Sequence, residues 1–290
     1  LAGQLRSKGW KAEYAAHPGR DVRGWLRLLP KLARADVLYL IGSRIELNSP
    51  QDLLLRVRRR PTVIHWVGTD VQVALDEAAR GRASKRVKRR PTHWCDAPWL
   101  VDELRTIGVR AEHVALPIPI EKGEPEPLPE QFSVLLYLPV DAYDREVFDV
   151  ETLMKLPAAF PEVAFTLIPS PADTLPSPAP TNLETPGYVA DMAALYAKTT
   201  VLVRLTTHDG TSFMAVEAMS AGRYVIWSFP MEGAIRAQGF EAVSKALGGL
   251  LARHETGALG LNDSGRAFVL EAFDPERVLG ELDRRLRALG

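Results

Sequence analysis

The chain has 290 residues, 46% hydrophobic and 25% charged, a length that suits two globular domains of about 100–150 residues each. Thirty-six basic residues balance 36 acidic ones, so no global field draws the protein to nucleic acid or lipid, and only local patches can do so. The single cysteine, Cys95, excludes an intrachain disulfide and a multi-cysteine zinc site and fits a reducing cytoplasm; no apolar run reaches the roughly 20 residues of a membrane span, and no signal peptide is visible.

LAGQLRSKG, at the start of the chain, reads as a helix, and a strand ahead of it is expected. Strands are then predicted at KAEYAA (11–16), DVLYLIGS (36–43), TVIHWVG (62–68), THWCDA (92–97) and AEHVALPI (111–118). Helical stretches alternate with them: VRGWLRLLPKLARA, SPQDLLLRVRRR, TDVQVALDEAARGRASKRV and PWLVDELRTIG. Short apolar runs between amphipathic helices signal βαβ units and a parallel sheet covered on both faces. EKGEPEPLPEQ (121–131) is rich in Pro and Glu, without periodicity, and reads as a linker.

The alternation then resumes. FSVLLYLPV, VAFTLIPS, TVLVRL and YVIWSF are predicted strands; REVFDVETLMKLPAAF, DMAALYAKT, SFMAVEAMSAG and FEAVSKALGGLLAR are predicted helices. PSPADTLPSPAPTNLETP (169–186) is a proline-rich loop, and two helical segments close the chain. The expected architecture is α/β, with two consecutive doubly wound domains, 1–120 and 132–275, a cleft between them and a last helix, 276–290, returning to the first.

HDGTSFMAVEAMSAGRYVIW (208–227) carries the chemistry. The strand before it should be buried, and ligands of such sheets lie outside the carboxyl ends of the strands. Gly210 permits a tight turn and Thr211 or Ser212 can cap the next helix, whose free N–H groups suit a phosphate. Glu217 lies five residues past Ser212, about 7–8 Å along a helix axis, the distance from a phosphate to the ribose of the same nucleotide. A carboxylate accepts from both hydroxyls of a ribose, and Asp209 is placed to hold a second polyol such as a sugar.

This stretch resembles the motif of glycosyltransferase family 4, the retaining enzymes of GT-B fold, with two acids separated by seven residues and followed by E-A-M and A-G. NLETPGYVADMAALYAKTTVLVRL, VIHWVGTDV and THWCDAPWLVDELRTIGV resemble further segments of that family, in the same order. The resemblance implies a GT-B fold of two Rossmann-like domains. It implies a nucleotide-sugar donor on the C-terminal domain, an acceptor on the N-terminal one, retention, and no cofactor or obligatory metal. By position, Asp209 and Glu217 become the catalytic acids, Glu217 on the donor ribose and Asp209 on the sugar. Backbone N–H groups from Gly210 through Thr211 and Ser212 to Phe213 would meet sugar and phosphate.

The chain departs from the pattern in three places. Asp209 stands where the family has Glu; the Arg and Lys that follow the first strand of the C-terminal domain are replaced by YLPVDAYDRE, with Arg145 nearby; and a Gly-rich turn after a first N-terminal strand is absent. Arg204 is the expected compensating cation, an arginine in a strand being either ion-paired or bound to a ligand. Thr206 and His208 border the motif on the donor side, His208 either as a donor contact or as a solvent-exposed side chain. Gly68, Thr69 and Asp70 sit at a strand's carboxyl end, either as acceptor contacts or as a helix cap. His65 and Cys95 read as core residues. The seven basic residues in 80–91 are either a solvated helix face or a contact with anionic lipid; without interleaved aromatic residues they are not expected to bind nucleic acid.

The expected function is transfer of a sugar from a nucleotide diphosphate to a glycan, lipid-linked or small-molecule acceptor, as in polysaccharide biosynthesis, in the cytoplasm or at the inner membrane face. The alternatives are a nucleotide-sugar epimerase and a non-catalytic binding module of the same fold.

Overall fold

The structure, a computed structural model, describes residues 1–16, 18, 21–120, 122–141, 145–169, 175 and 177–289. Glu121 of the expected linker, Ala142 to Asp144 of the YLPVDAYDRE stretch, and Ser170 to Thr174 and Pro176 of the proline-rich loop lie outside the described residues. The chain divides into two compact units, Leu1–Pro117 joined by the helix that begins at Pro275, and Ile118–Asp274.

The first unit is a parallel sheet in chain order, β1 (Leu38–Ile41), β2 (Thr62–Trp66), β3 (Thr92–Cys95) and β4 (Ala111–His113). Because every crossover steps the same way and such crossovers are right-handed, the connecting helices share one face. These are α3 (Pro50–Val57), α4 (Thr69–Ala79), α5 (Lys85–Arg89) and α6 (Pro98–Thr106). Strand residues alternate between faces. Ile64 and Trp66 meet Leu55, Val71, Val87, Leu100 and Leu104 from these helices. Val63 and Trp94 point the other way, toward Leu5 of α1 (Ala2–Ser7) and toward Leu279, Leu282 and Leu286 of the last helix, α12 (Pro275–Arg287). Trp10 Nε1 donates to Asp283 at 2.6 Å and Lys8 pairs with Glu276 at 3.0 Å, fastening the two ends of the chain together.

Two expectations fail here. KAEYAA is irregular, not a strand. Apart from Tyr14, which is 79% exposed, its apolar residues are alanines, so it has nothing to bury on either face of a sheet. The stretch read as one helix over 69–87 is two, because Gly81 takes a left-handed φ of +70° and Ser84 caps a new start, accepting from Arg86 and Val87 N–H. The helix of 22–34 (α2, Val22–Arg34) follows its prediction, with Asp21 as cap.

Among the described residues of the second unit, six parallel strands form one sheet. They are β5 (Ser133–Tyr137), β6 (Ala164–Ile168), β7 (Leu183–Glu184), β8 (Val201–Arg204), β9 (Tyr224–Trp227) and β10 (Ile235–Arg236). The chain enters at β5, runs outward to β7, returns to β8 beside β5 and runs outward to β10, which is the doubly wound order 3-2-1-4-5-6. Val134, Leu136, Val201 and Val203 face α7 (Val150–Ala159) and α10 (Gly239–Glu255). On the other side α9 (Phe213–Ser220) lies against β8, β9 and α11 (Asp263–Ala272). A short helix, α8 (Met192–Ala197), precedes β8. β7 and β10 are two-residue strands that the sequence does not announce; β7 falls within the expected proline-rich loop.

The segment read as a linker is fastened to this unit. Arg223, fully buried, donates to the Pro127 carbonyl at 3.0 Å and the Glu126 carbonyl at 2.8 Å. Among the described residues no helix is long and apolar enough to cross a membrane.

Candidate functional site

The strand order of the second unit reverses between β5 and β8, so their carboxyl ends diverge into two loops that leave in opposite directions, the place where such sheets bind ligands. The loop after β5 folds back over the end of β8. Thr207 N–H donates to the Val147 carbonyl at 2.7 Å, Asp149 N–H donates to the Leu205 carbonyl at 3.1 Å, and Phe148 bridges Thr206.

Arg204, the last residue of β8, lies at this point. Its Nε donates to Asp209 Oδ2 at 2.7 Å, and both side chains are 14% exposed. Its Cζ stands 5.3 Å from the Tyr137 ring centre and 5.1 Å from that of Phe148, within cation–π range of both. Thr206 Oγ1 donates to the same Asp209 oxygen at 3.3 Å. The sequence left Arg204 open between an ion pair and a ligand contact; its Nε makes the pair, and with the very acid expected to hold a sugar. Its two Nη groups have no hydrogen-bond partner among the described residues.

The helix after this turn starts as predicted. Ser212 Oγ accepts from Ala215 N–H at 3.2 Å, which leaves the N–H groups of Phe213 and Met214 in the first turn to an outside acceptor. Gly210, Thr211 and Ser212 are buried, while Phe213 is 41% exposed. Gly222 closes the helix with a φ of +75°. Glu217, one turn into α9, is half-buried. Tyr196 of α8 donates its hydroxyl to Glu217 Oε2 at 2.9 Å, and Oε1 has no partner among the described residues. Burial raises the Glu217 pKa, and the Tyr196 hydroxyl opposes the rise. Burial, then the Glu217 charge, pushes the Tyr196 phenol well up.

Arg145 lies in the loop after β5, with its Nη1 donating to the Val140 carbonyl at 2.6 Å and the Pro139 carbonyl at 3.3 Å. His208 is half-buried beside Asp209. The structure therefore brings together Arg204, Thr206, Asp209 and the start of α9. Tyr137, Phe148 and Tyr196, which hold the two charged groups, had no signal in the sequence beyond an aromatic residue in an apolar segment.

In the first unit, Gly68 is the residue before α4, with a φ of +120° that favours glycine, and it makes no side-chain cap. Neither Thr69 nor Asp70 is that cap. Asp70 reaches back instead, accepting from Val67 N–H at 3.0 Å, Val71 N–H at 3.1 Å and Ser43 N–H at 3.3 Å, and so ties the turn after β1 to the turn after β2. Burial outweighs these bonds and pushes its pKa up to about 7. His65 is fully buried and pairs with the Tyr39 hydroxyl. Cys95 is fully buried, with its thiol pKa pushed up by desolvation.

The basic run at 80–90 is largely engaged within its own unit. Arg80 and Arg82 pair with Glu77, Arg86 pairs with Asp52 at 2.8 Å, Lys88 donates to the Ile107 carbonyl at 2.9 Å and Arg90 to the Leu55 and Arg58 carbonyls. Lys85 and Arg89 stay exposed.

No family model matches the sequence, and no curated protein matches it. Solved structures do match the fold. HepE from Anabaena, crystallised with UDP-glucose, superposes with a TM-score of 0.67 at 12% identity over 91% of this chain and 82% of that one. Sucrose-phosphate synthase from Thermosynechococcus elongatus gives 0.69 at 17% identity over 97% of this chain and 82% of that one. The pneumococcal O-GlcNAc transferase GtfA, crystallised with UDP and GlcNAc, gives 0.61 at 11% identity over 92% and 60%. At such identities the likeness speaks for the fold: the chain is an α/β protein with the two Rossmann-like units of the GT-B glycosyltransferase fold.

Proposed function

We propose that the protein is a glycosyltransferase that binds a nucleotide-diphosphate sugar at the carboxyl edge of the second unit's sheet. The observation that carries this reading is a guanidinium with an open Nη fork at the strand-order reversal, beside a helix N-terminus and a half-buried carboxylate. Arg204 Nη and the N–H groups of Gly210 to Phe213 take the diphosphate, since a planar fork and oriented N–H dipoles both match phosphate oxygens. Glu217 accepts from the ribose hydroxyls through the oxygen that Tyr196 leaves open. Catalysis then comes from holding the donor and stabilising charge on the leaving diphosphate. Arg145 and His208 flank the same loops and complete the donor side.

The likeness to HepE crystallised with UDP-glucose, and with UDP and glucose, supports a uridine donor as the first to test. The family 4 resemblance supports retention, hexosyl transfer without an obligatory metal, and an acceptor (glycan, lipid-linked or small-molecule) taken by the first unit near Gly68, Thr69 and Asp70. It also supports a role in polysaccharide biosynthesis, with the protein cytoplasmic or at the inner membrane face. A membrane contact through residues 80–90 would rest on Lys85 and Arg89.

Calorimetry with a panel of UDP-, GDP- and ADP-sugars tests the reading. The parent binds one of the three classes, and Glu217→Ala weakens that donor by about tenfold or more, the loss of a hydrogen bond to a charged group. No binding across the panel refutes the transferase reading; undiminished binding by Glu217→Ala refutes the ribose role. Sugar transfer or donor hydrolysis by the parent separates an enzyme from a binding module.

A further inference from the structure

We propose that Asp209 is a positioning residue: it fixes Arg204 so that the Nη fork meets the diphosphate, and it does not hold the donor sugar. The inference rests on the donor reading above. A guanidinium has three edges, and here the Nε edge is given to Asp209 Oδ2 at 2.7 Å. The Tyr137 and Phe148 rings stand 5.3 and 5.1 Å from its carbon. One ion pair and two rings thus restrain the group, and the Nη–Nη edge has no protein partner among the described residues. That edge carries the parallel N–H pair that matches two phosphate oxygens.

Burial gives Asp209 this work. A guanidinium 14% exposed is costly without a counter-charge, and Asp209, at 14% itself, is that counter-charge. Oδ2 also accepts from Thr206 Oγ1 at 3.3 Å, so two neighbours hold the carboxylate in place. The shorter aspartate, one methylene less than the family's glutamate, is here matched to an arginine five residues earlier rather than to a ligand beyond the turn.

Calorimetry with UDP, UDP-glucose and UMP distinguishes the two roles, with GDP and ADP and their glucose conjugates as parallel probes. Asp209→Asn is expected to weaken the nucleoside diphosphate and its sugar conjugate by the same factor, about tenfold, and the monophosphate by less than about threefold. Arg204→Met gives the same pattern. In the double variant the second substitution adds less than about twofold, because two residues acting through one contact are not additive. Asp209→Glu recovers part of the loss.

A penalty confined to the sugar conjugate overturns the inference, as does full additivity in the double variant. So does an equal loss for all three ligands with a lowered melting temperature, the mark of general damage. A parent that binds none of the probes overturns the donor reading itself, and the inference falls with it.

Discussion

Glu217 holds its proton more tightly than a surface glutamate does, because burial disfavours the charged form, and the Tyr196 hydroxyl works in the opposite direction by donating to Oε2. A ribose diol is best met by the ionised carboxylate, which accepts only. Tyr196→Phe removes the donor that favours this form, so the Glu217 pKa rises further. The expected result is nucleotide binding weakened by about fivefold near neutral pH, the worth of one hydrogen bond, with the loss growing as pH falls and setting in at a higher pH than in the parent. Dissociation constants measured between pH 5 and 8 check this; identical pH profiles for the two proteins would contradict it. The acids themselves were legible in the sequence, because seven residues between them set both near a helix start. Their partners were not. Tyr196 lies 21 residues before Glu217, and Phe148 comes from a loop that meets β8 only once the sheet has formed.

His65 on β2 and His93 on β3 are sealed inside the first unit, where burial lowers both pKa values to about 4. His93 Nδ1 accepts from Trp66 Nε1 at 3.1 Å, as a neutral ring must. The unfolded chain binds protons on both rings below about 6.5 while the fold does not, so this stability is present above 6.5 and is lost as pH falls toward 4. A tenfold change in proton affinity is worth about 1.4 kcal/mol, which makes the loss on the order of 3 kcal/mol per ring by pH 4. Asp70, raised to about 7, has the opposite sign: its contribution is present below about 3.9 and lost as pH rises through 7. Between 4 and 6.5 two unfolded-state protons stand against one folded-state proton, and stability rises with pH. Between pH 7 and 5 the melting temperature should therefore drop in the parent, and drop less in His93→Gln; an equal drop would refute this account. At this same scale, the central strands were readable because continuous apolar runs are what burial on two faces demands. KAEYAA misled through alternation without bulk, and β7 and β10, at two residues, are too short to carry any period.

The whole second unit sets where the proposed donor site lies. Strand order 3-2-1-4-5-6 forces the loops after β5 and β8 apart, and everything expected of a donor site, Arg204, Asp209, the start of α9 and Glu217, follows from the end of β8 within 13 residues. The alternation of strands and helices foretold two α/β units with parallel sheets, yet strand order leaves no trace in a sequence. It emerges from which crossovers pack, and with it the reversal on which the proposed site rests. Arg204 falls at that reversal, between two rings, which makes it the central cation of the proposed donor site. The most direct measurement is a crystal soaked with the nucleotide-diphosphate sugar that the protein binds most tightly. The account predicts diphosphate oxygens about 3 Å from Arg204 Nη and from N–H groups at the start of α9, with ribose hydroxyls on Glu217; a donor bound with its diphosphate away from Arg204, or its ribose away from Glu217, would contradict it.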